Sequence, residues 1–250
     1  MASPEPIIEV KDLHKSFGGI KVLTGIQLDI PEGSTCVILG GSGSGKTVLM
    51  KHMIGLLKPD SGQVIVDGED IVPLDERELE RVRKKFGMVF QGAALFDSMT
   101  VYENVSFPLR EHQKLPEAEV QEIVRQKLSI VGLKDVENRF PSDLSGGMRK
   151  RVGLARAIIL DPKIVLYDEP TTGLDPITTD YVDEMILAAK KELGVTSVVI
   201  SHDIASAFKV ADKIAFLYQG VIVEQGPPQQ LRHSQHPAVK LFLQTWFGKN

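Results

Sequence analysis

G-G-S-G-S-G-K-T, running from Gly40 to Thr47, fills every position of the pattern G-x-x-x-x-G-K-[ST]. The candidate phosphate cradle is Gly40, Gly41, Ser42, Gly43, Ser44, Gly45, Lys46 and Thr47, with Val48 the first residue beyond it. Glycines let the backbone curl so that successive N–H groups converge on a phosphate chain. Lys46 can then reach the outer phosphates, and the Thr47 hydroxyl can ligate Mg²⁺. The flanks agree with this reading. Ser34 to Leu39 is β-branched and apolar, as in a buried strand, and Val48 to Leu57 carries Leu49, Met53, Ile54 and Leu57 at helical spacing. Strand, glycine loop and helix together aim a helix N-terminus at an anion.

Outward from the loop, the chain reads as α/β. Ile7 to Phe17 and Ile26 to Ile30 alternate like strands, with a turn at Gly18-Gly19 after the first. Gly62 to Val66 and Phe86 to Phe90 are further short strands, and Asp75 to Lys85 is a charged helix. From 92 to 160 the pattern turns mainly helical, with Pro116 to Gly132 and Arg149 to Leu160 as its helices. The α/β pattern then resumes. Ile164 to Tyr167 and Val195 to Ser201 read as buried strands, Ile177 to Leu193 and Ile204 to Val210 as helices. Ile214 to Leu217 and Val221 to Glu224 form a hairpin around Gln219-Gly220. Pro237 to Phe247 places Val239, Phe242, Leu243, Trp246 and Phe247 at amphipathic-helix spacing, to pack on its own domain or on a partner.

Composition bounds the function. The 250 residues are 42% hydrophobic and 25% charged, ordinary for a chain with a real core. The formal net charge is −4 and no long basic tract is present, which argues against a nucleic-acid binder. The single cysteine, Cys36, excludes an internal disulfide and a cysteine zinc site, and its place in a strand marks it as structural. No stretch approaches the roughly 20 apolar residues of a membrane span, and Met1 to Pro6 carries no signal-peptide pattern, so a cytosolic location is expected.

The second half of the chemistry lies in I-V-L-Y-D-E, Ile164 to Glu169. An apolar strand ending in a carboxylate sets Asp168 at the sheet edge beside the loop, where it can support Mg²⁺. Glu169, one residue on, can polarise an attacking water.

With L-S-G-G-M at Leu144 to Met148, the chain resembles the ATP-binding subunits of ABC transporters, whose corresponding motif is L-S-G-G-Q. The order of motifs matches over nearly the whole chain. The resemblance assigns Phe17 to adenine stacking, Gln91 to the Q-loop, Gly173-Leu174-Asp175 to the D-loop and His202 to the switch position. It implies an α/β fold: a P-loop ABC-type nucleotide-binding domain with an antiparallel β subdomain and an inserted α-helical subdomain. The single domain would divide into a RecA-like core with the β subdomain (1–91 and 161–250) and a helical subdomain (92–160). Met148 departs from the usual glutamine and Phe17 from a commoner tyrosine; neither removes a charge.

The resemblance also implies roles. Lys46 stabilises the transferring phosphoryl group, Thr47 and Gln91 ligate Mg²⁺, Asp168 supports that ion, Glu169 is the general base, and His202 holds the γ-phosphate and water. Ser145, Gly146 and Gly147, at a helix N-terminus, form a second anion site. Two copies would pair head to tail with ATP between them, and Asp175 would communicate across the dimer. F-Q-G-A-A-L-F-D-S-M-T-V-Y-E-N-V and P-L-R-E-H, Phe90 to Val105 and Pro108 to His112, narrow the resemblance to the ATPase subunits of Mla/Mce lipid transport systems. That implies an integral-membrane permease, contacted through Leu95, Phe96 and Met99, an MCE-domain substrate-binding protein, and a peripheral position on the cytoplasmic face of the inner membrane. A polar-solute importer subunit, another class of P-loop ATPase, a nucleotide-gated module without turnover and a soluble ABC protein of repair or translation are the competing readings.

Overall fold

The computed structural model describes residues 5–247, with side chains through residue 244. The chain opens on two long strands, β1 (Pro6–Phe17) and β2 (Ile20–Pro31), joined at Gly18 and Gly19, both at positive φ. They pair antiparallel, and β4 (Ser61–Val66) and β5 (Glu69–Asp70) extend them into a sheet of order β2-β1-β4-β5. The second sheet has order β10-β9-β3-β8-β7-β6. Its strands are β3 (Thr35–Leu39), β6 (Phe86–Val89), β7 (Ile164–Asp168), β8 (Thr196–Ser201), β9 (Lys213–Tyr218) and β10 (Val221–Gly226). All neighbours in it are parallel except β9 and β10, the hairpin around Gln219-Gly220.

Parallel strands need helical crossovers and become buried on both faces, and the sequence shows it. Along β3, Cys36 and Ile38 point into one apolar cluster while Val37 and Leu39 point into the other. The same alternation holds in β7 (Ile164 and Leu166 against Val165 and Tyr167) and in β9 (Ala215 and Leu217 against Ile214 and Phe216). One cluster joins this sheet to the antiparallel sheet through Ile8, Val10 and Leu28, and the other joins it to the helices. Each fully buried Val, Leu or Ile contributes about 1.5–3 kcal/mol.

The helices are α1 (Lys46–Met53), α2 (Glu76–Arg83), α3 (Val101–His112), α4 (Glu117–Ile130), α5 (Gly146–Ala157), α6 (Pro176–Leu193), α7 (Ile204–Val210), α8 (Pro228–Arg232) and α9 (Pro237–Phe247). Between 92 and 160 lie α3, α4 and α5, and α5 also packs on β6. Sequence reasoning passed over α3 because Pro108 interrupts it. Its start was signalled: Thr100 Oγ1 accepts from the Glu103 N–H, and the Glu103 carboxylate accepts from the Thr100 N–H. α1 begins at Lys46 and ends at Met53, so it starts inside the glycine loop and stops short of Leu57. In α9, Val239 and Leu243 are buried in the chain's own core; the side chains of Trp246 and Phe247 lie outside the described residues. Among the described residues no helix is long and apolar enough to cross a membrane.

Candidate nucleotide site

The glycine loop leaves β3 at Gly40 and becomes α1 at Lys46. Gly40 tolerates no side chain, because a Cβ there would lie 2.3 Å from the Leu217 carbonyl oxygen. Gly45 turns the chain into the helix with φ +105, a conformation that glycine adopts freely. No acidic residue occupies the first turn of α1, so its N-terminal field favours an anion. The Lys46 ammonium folds back over the loop, donating to Gly40 O (2.9 Å) and Gly41 O (3.0 Å), and stands 3.5 Å from Glu169 Oε1.

Glu169 follows β7 in the left-handed region, φ 50, and its N–H donates to Ile200 O on the neighbouring strand. Its Oε2 accepts from Thr172 Oγ1 (2.9 Å) and lies 2.7 Å from His202 Nδ1. The carboxylate is therefore held between a lysine and a histidine, with its side chain only 18% exposed. Asp168, at the strand end, has a buried Oδ1 with no hydrogen-bond partner. Burial raises its carboxyl above the usual range; the Glu169 charge adds to this, and Lys51 and Lys46 oppose it. Ser44 Oγ is likewise buried without a partner.

These orphaned oxygens fit a hard cation, which takes oxygen ligands. Among the described residues no three His, Cys, Asp or Glu side chains converge into a metal cage. That suits Mg²⁺, which keeps water and phosphate oxygens in its shell and uses one or two protein oxygens. The donors in place are Thr47 and Gln91, which face the same cleft, and Asp168 behind it.

That cleft, of about 630 Å³, is lined by Gly41, Ser42, Gly43, Gly45, Lys46, Thr47, Val48, Gln91, Glu169 and His202. Residues more than 150 positions apart in the chain thus meet in one place. Val22, Thr172, Ile204 and Phe242 also line it and were not anticipated. Thr172 lies three residues after Glu169, whereas helical spacing marked Phe242 only as a packing residue; its ring meets Phe216 edge-on at 5.1 Å. Phe17 is not among the lining residues. It is 44% exposed at the tip of the β1–β2 hairpin, with Lys15 Nζ 5.4 Å from its ring centre.

Ser145, Gly146, Gly147 and Asp175 face a different cleft, of about 330 Å³, together with Arg151, Leu174, Thr178 and Tyr181. Ser145 is the N-cap of α5, its Oγ accepting from the Met148 N–H at 3.2 Å. Asp175 caps α6, accepting from the N–H groups of Ile177 and Thr178, and the Thr178 hydroxyl holds its carboxyl below the usual range. One chain therefore presents two helix N-termini, at Lys46 and at Gly146, in separate clefts that share no lining residue.

A third groove, about 520 Å³, runs between α2, β6, α3 and α5. Phe90, Phe96, Phe107, Pro108 and Leu160 give it an apolar floor. Of the three residues expected to meet a permease, Phe96 lines this groove and Leu95 and Met99 do not; Leu95 packs against the core instead. In the segment after Gln91, Ala93 and Ala94 are both at positive φ, and their carbonyls accept from the Arg156 guanidinium at 2.8 Å each.

The ABC transporter family profile matches residues 23–172. "Probable ribonucleotide transport ATP-binding protein mkl" of Mycobacterium leprae is 46% identical over 94% of this chain and 68% of its own length. "Intermembrane phospholipid transport system ATP-binding protein MlaF" of Haemophilus influenzae is 41% identical over 95% of this chain and 90% of its own length. Among solved structures, cbiO1 from Clostridium perfringens, part of the cbiONQ transporter complex, superimposes with TM-score 0.86 at 30% identity, covering 98% of this chain and 97% of its own. A dimeric post-hydrolysis form of the ATP-binding cassette MJ0796, bound to ADP and Pi, does so with TM-score 0.79 at 32% identity over 89% of this chain and 99% of its own.

Proposed function

This chain is a member of the ABC transporter family, and from that premise we propose that it is the ATP-hydrolysing subunit of a membrane transporter of phospholipid or another hydrophobic molecule. The observation that carries the catalytic part is the convergence of Lys46, Gln91, Glu169 and His202 on the glycine-loop cleft. Lys46 and the loop amides bind the triphosphate and offset charge that grows on the γ-phosphoryl group. Glu169 takes a proton from water as its oxygen bonds to the γ-phosphorus and the bond to ADP breaks. His202 holds the Glu169 carboxylate in place and faces the γ-phosphate. Thr47 and Gln91, with Asp168 behind, would hold Mg²⁺, which would neutralise charge at the phosphates.

Ser145, Gly146 and Gly147 line a separate cleft, so they serve a second copy's nucleotide. Two copies related by a two-fold axis close two such sites at once. Phe17 reaches the base from the hairpin tip, and Asp175 sits where the two copies meet. Residues 92–160 act as a helical subdomain against a core of 1–91 and 161–250. The apolar groove containing Phe96 receives a permease on the cytoplasmic face of the inner membrane, and an MCE-domain protein delivers or accepts cargo beyond it. Nucleic acid is no partner.

Lipid as cargo rests on MlaF and on the Phe90 to Val105 wording. The name of the mycobacterial relative points instead to ribonucleotides, a polar cargo. Purification of the chain with its membrane partners, followed by mass spectrometry of the bound small molecules, decides between them. Co-purified phospholipid supports the proposal; ribonucleotide in a transport cavity, with no lipid enriched over the membrane background, overturns it.

A further inference from the structure

Lys150 belongs to neither cleft, yet its position joins the two. It sits on α5, the helix that Ser145 caps, and the residue is only 7% exposed. Its ammonium donates to the Pro170 carbonyl, and among the described residues it forms no ion pair. Burial alone pushes its acidity in the direction of the neutral amine. A buried cation held by one carbonyl is a costly way to fill space, for which methionine would serve better. Pro170 directly follows Glu169, whose left-handed φ of 50 is strained for a residue with a Cβ. Such a conformation persists only where the surroundings over-determine it. On one side of Glu169 the tie is its own N–H to Ile200 O; on the other, Thr172 donates to the Glu169 carbonyl and carboxylate, and the Lys150 ammonium ties Pro170 O to α5.

We propose that Lys150 is a positioning residue for Glu169: it fixes the Glu169–Pro170 segment to α5, so that the base keeps its place between Lys46 and His202. The helix that opens the second cleft and the carboxylate of the first are thereby one mechanical unit. Lys150 touches neither substrate nor water and acts only through Glu169. The proposal rests on the reading of Glu169 as the base.

The test is a double-mutant cycle on the full chain, reading ATPase kcat and KM. Lys150→Met keeps the alkyl stem and removes the donor. It should lower kcat by about 10-fold or more, since a small displacement of a reacting group is that costly, with KM for ATP changed less than about twofold. Lys150→Arg should recover at least half of the loss. In the Glu169→Gln background, Lys150→Met should lower the residual rate by less than about twofold, because residues acting as one unit are non-additive. Wild-type kcat in Lys150→Met, or the same fold-loss in both backgrounds, overturns the proposal. Should Lys150→Met show no cooperative melt, Lys150→Gln, which keeps an N–H donor without the charge, carries the same cycle. It should fall below the arginine variant in kcat, and equal fold-loss in both backgrounds again overturns the proposal. If Glu169→Gln alone hydrolyses ATP at the wild-type rate, the reading of the base itself has failed, a result distinct from any outcome at Lys150.

Discussion

Glu169 Oε2 lies 2.7 Å from His202 Nδ1, and the same carboxylate stands 3.5 Å from the Lys46 ammonium through its other oxygen. The two residues come from the ends of neighbouring parallel strands, β7 and β8. A base held this way is aimed before substrate arrives. Glu169→Gln keeps the shape and both hydrogen-bonding positions but has no proton acceptor of comparable strength. Turnover should fall by about 10²-fold or more while ATP still binds. Single-turnover kinetics beside a binding titration check this; wild-type turnover would remove Glu169 from the mechanism.

Lys46→Ala should act on binding instead. The ammonium is held over the loop by Gly40 and Gly41, where phosphate oxygens would replace those carbonyls. Affinity for labelled ATP should drop by about 10-fold or more, in line with a lost charge-assisted contact of roughly 1.5–3 kcal/mol.

Asp168→Asn should separate stability from function. The wild-type carboxylate has a buried oxygen without a partner, and its folded-state acidity is displaced upward by burial. For a carboxyl raised on folding, the ionised form is the disfavoured one. The cost is absent below the unfolded value, grows as pH rises from the unfolded to the folded value, and is fully present above the folded value. The neutral amide avoids it, so the nucleotide-free variant should melt higher, by about 2–4 °C for each kcal/mol relieved. Its Mg²⁺-dependent stabilisation by ATP should be lost. Calorimetry with and without Mg²⁺ and nucleotide reads both effects.

His52 makes the core sensitive to acid. Its Nδ1 faces Val48 O at 2.7 Å, and its Nε2 is buried without a partner. Burial lowers its proton affinity, so it stays neutral in the fold while the unfolded chain protonates near pH 6.5. Stability from this residue is whole above that pH and declines as pH falls through it towards the folded value. Denaturant melts between pH 7.5 and 5.5 should show a slope in the wild type that His52→Gln reduces.

Much of the site was legible because its parts are contiguous. The glycine loop and the Asp168-Glu169 pair each declare themselves within eight residues, and the apolar run before each names the strand that carries it. The relation between Gln91, Glu169 and His202 was legible only through motif order, since no local pattern tells which strands become neighbours. What stayed hidden was hidden for physical reasons. Pro108 masked α3 although Thr100 and Glu103 announced its start. Spacing placed Phe242 on an apolar helix face, but its reach into the cleft, through packing on Phe216, is tertiary and leaves no local signal. Leu95 and Met99 belong to an apolar run whose members part ways, Phe96 to a groove and Leu95 to the core.

Ser145→Ala should leave each protomer's own nucleotide affinity unchanged while hydrolysis collapses, because Ser145 faces a cleft that Lys46 does not share. Loss of its N-cap bond to Met148 costs about 1 kcal/mol of helix stability, too little to unfold the domain. Parallel binding and ATPase assays distinguish this from a simple folding defect; normal ATPase activity would assign the chain to a P-loop class that needs no partner.

Mass in solution puts the two-copy site to the most direct trial. Glu169→Gln protein, examined by light scattering with Mg²⁺ and ATP, should run at twice the 27.5 kDa of one chain and return to a single chain when nucleotide is removed. A chain that stays at single mass with ATP bound, while the wild type hydrolyses ATP at full rate under the same conditions, would contradict it.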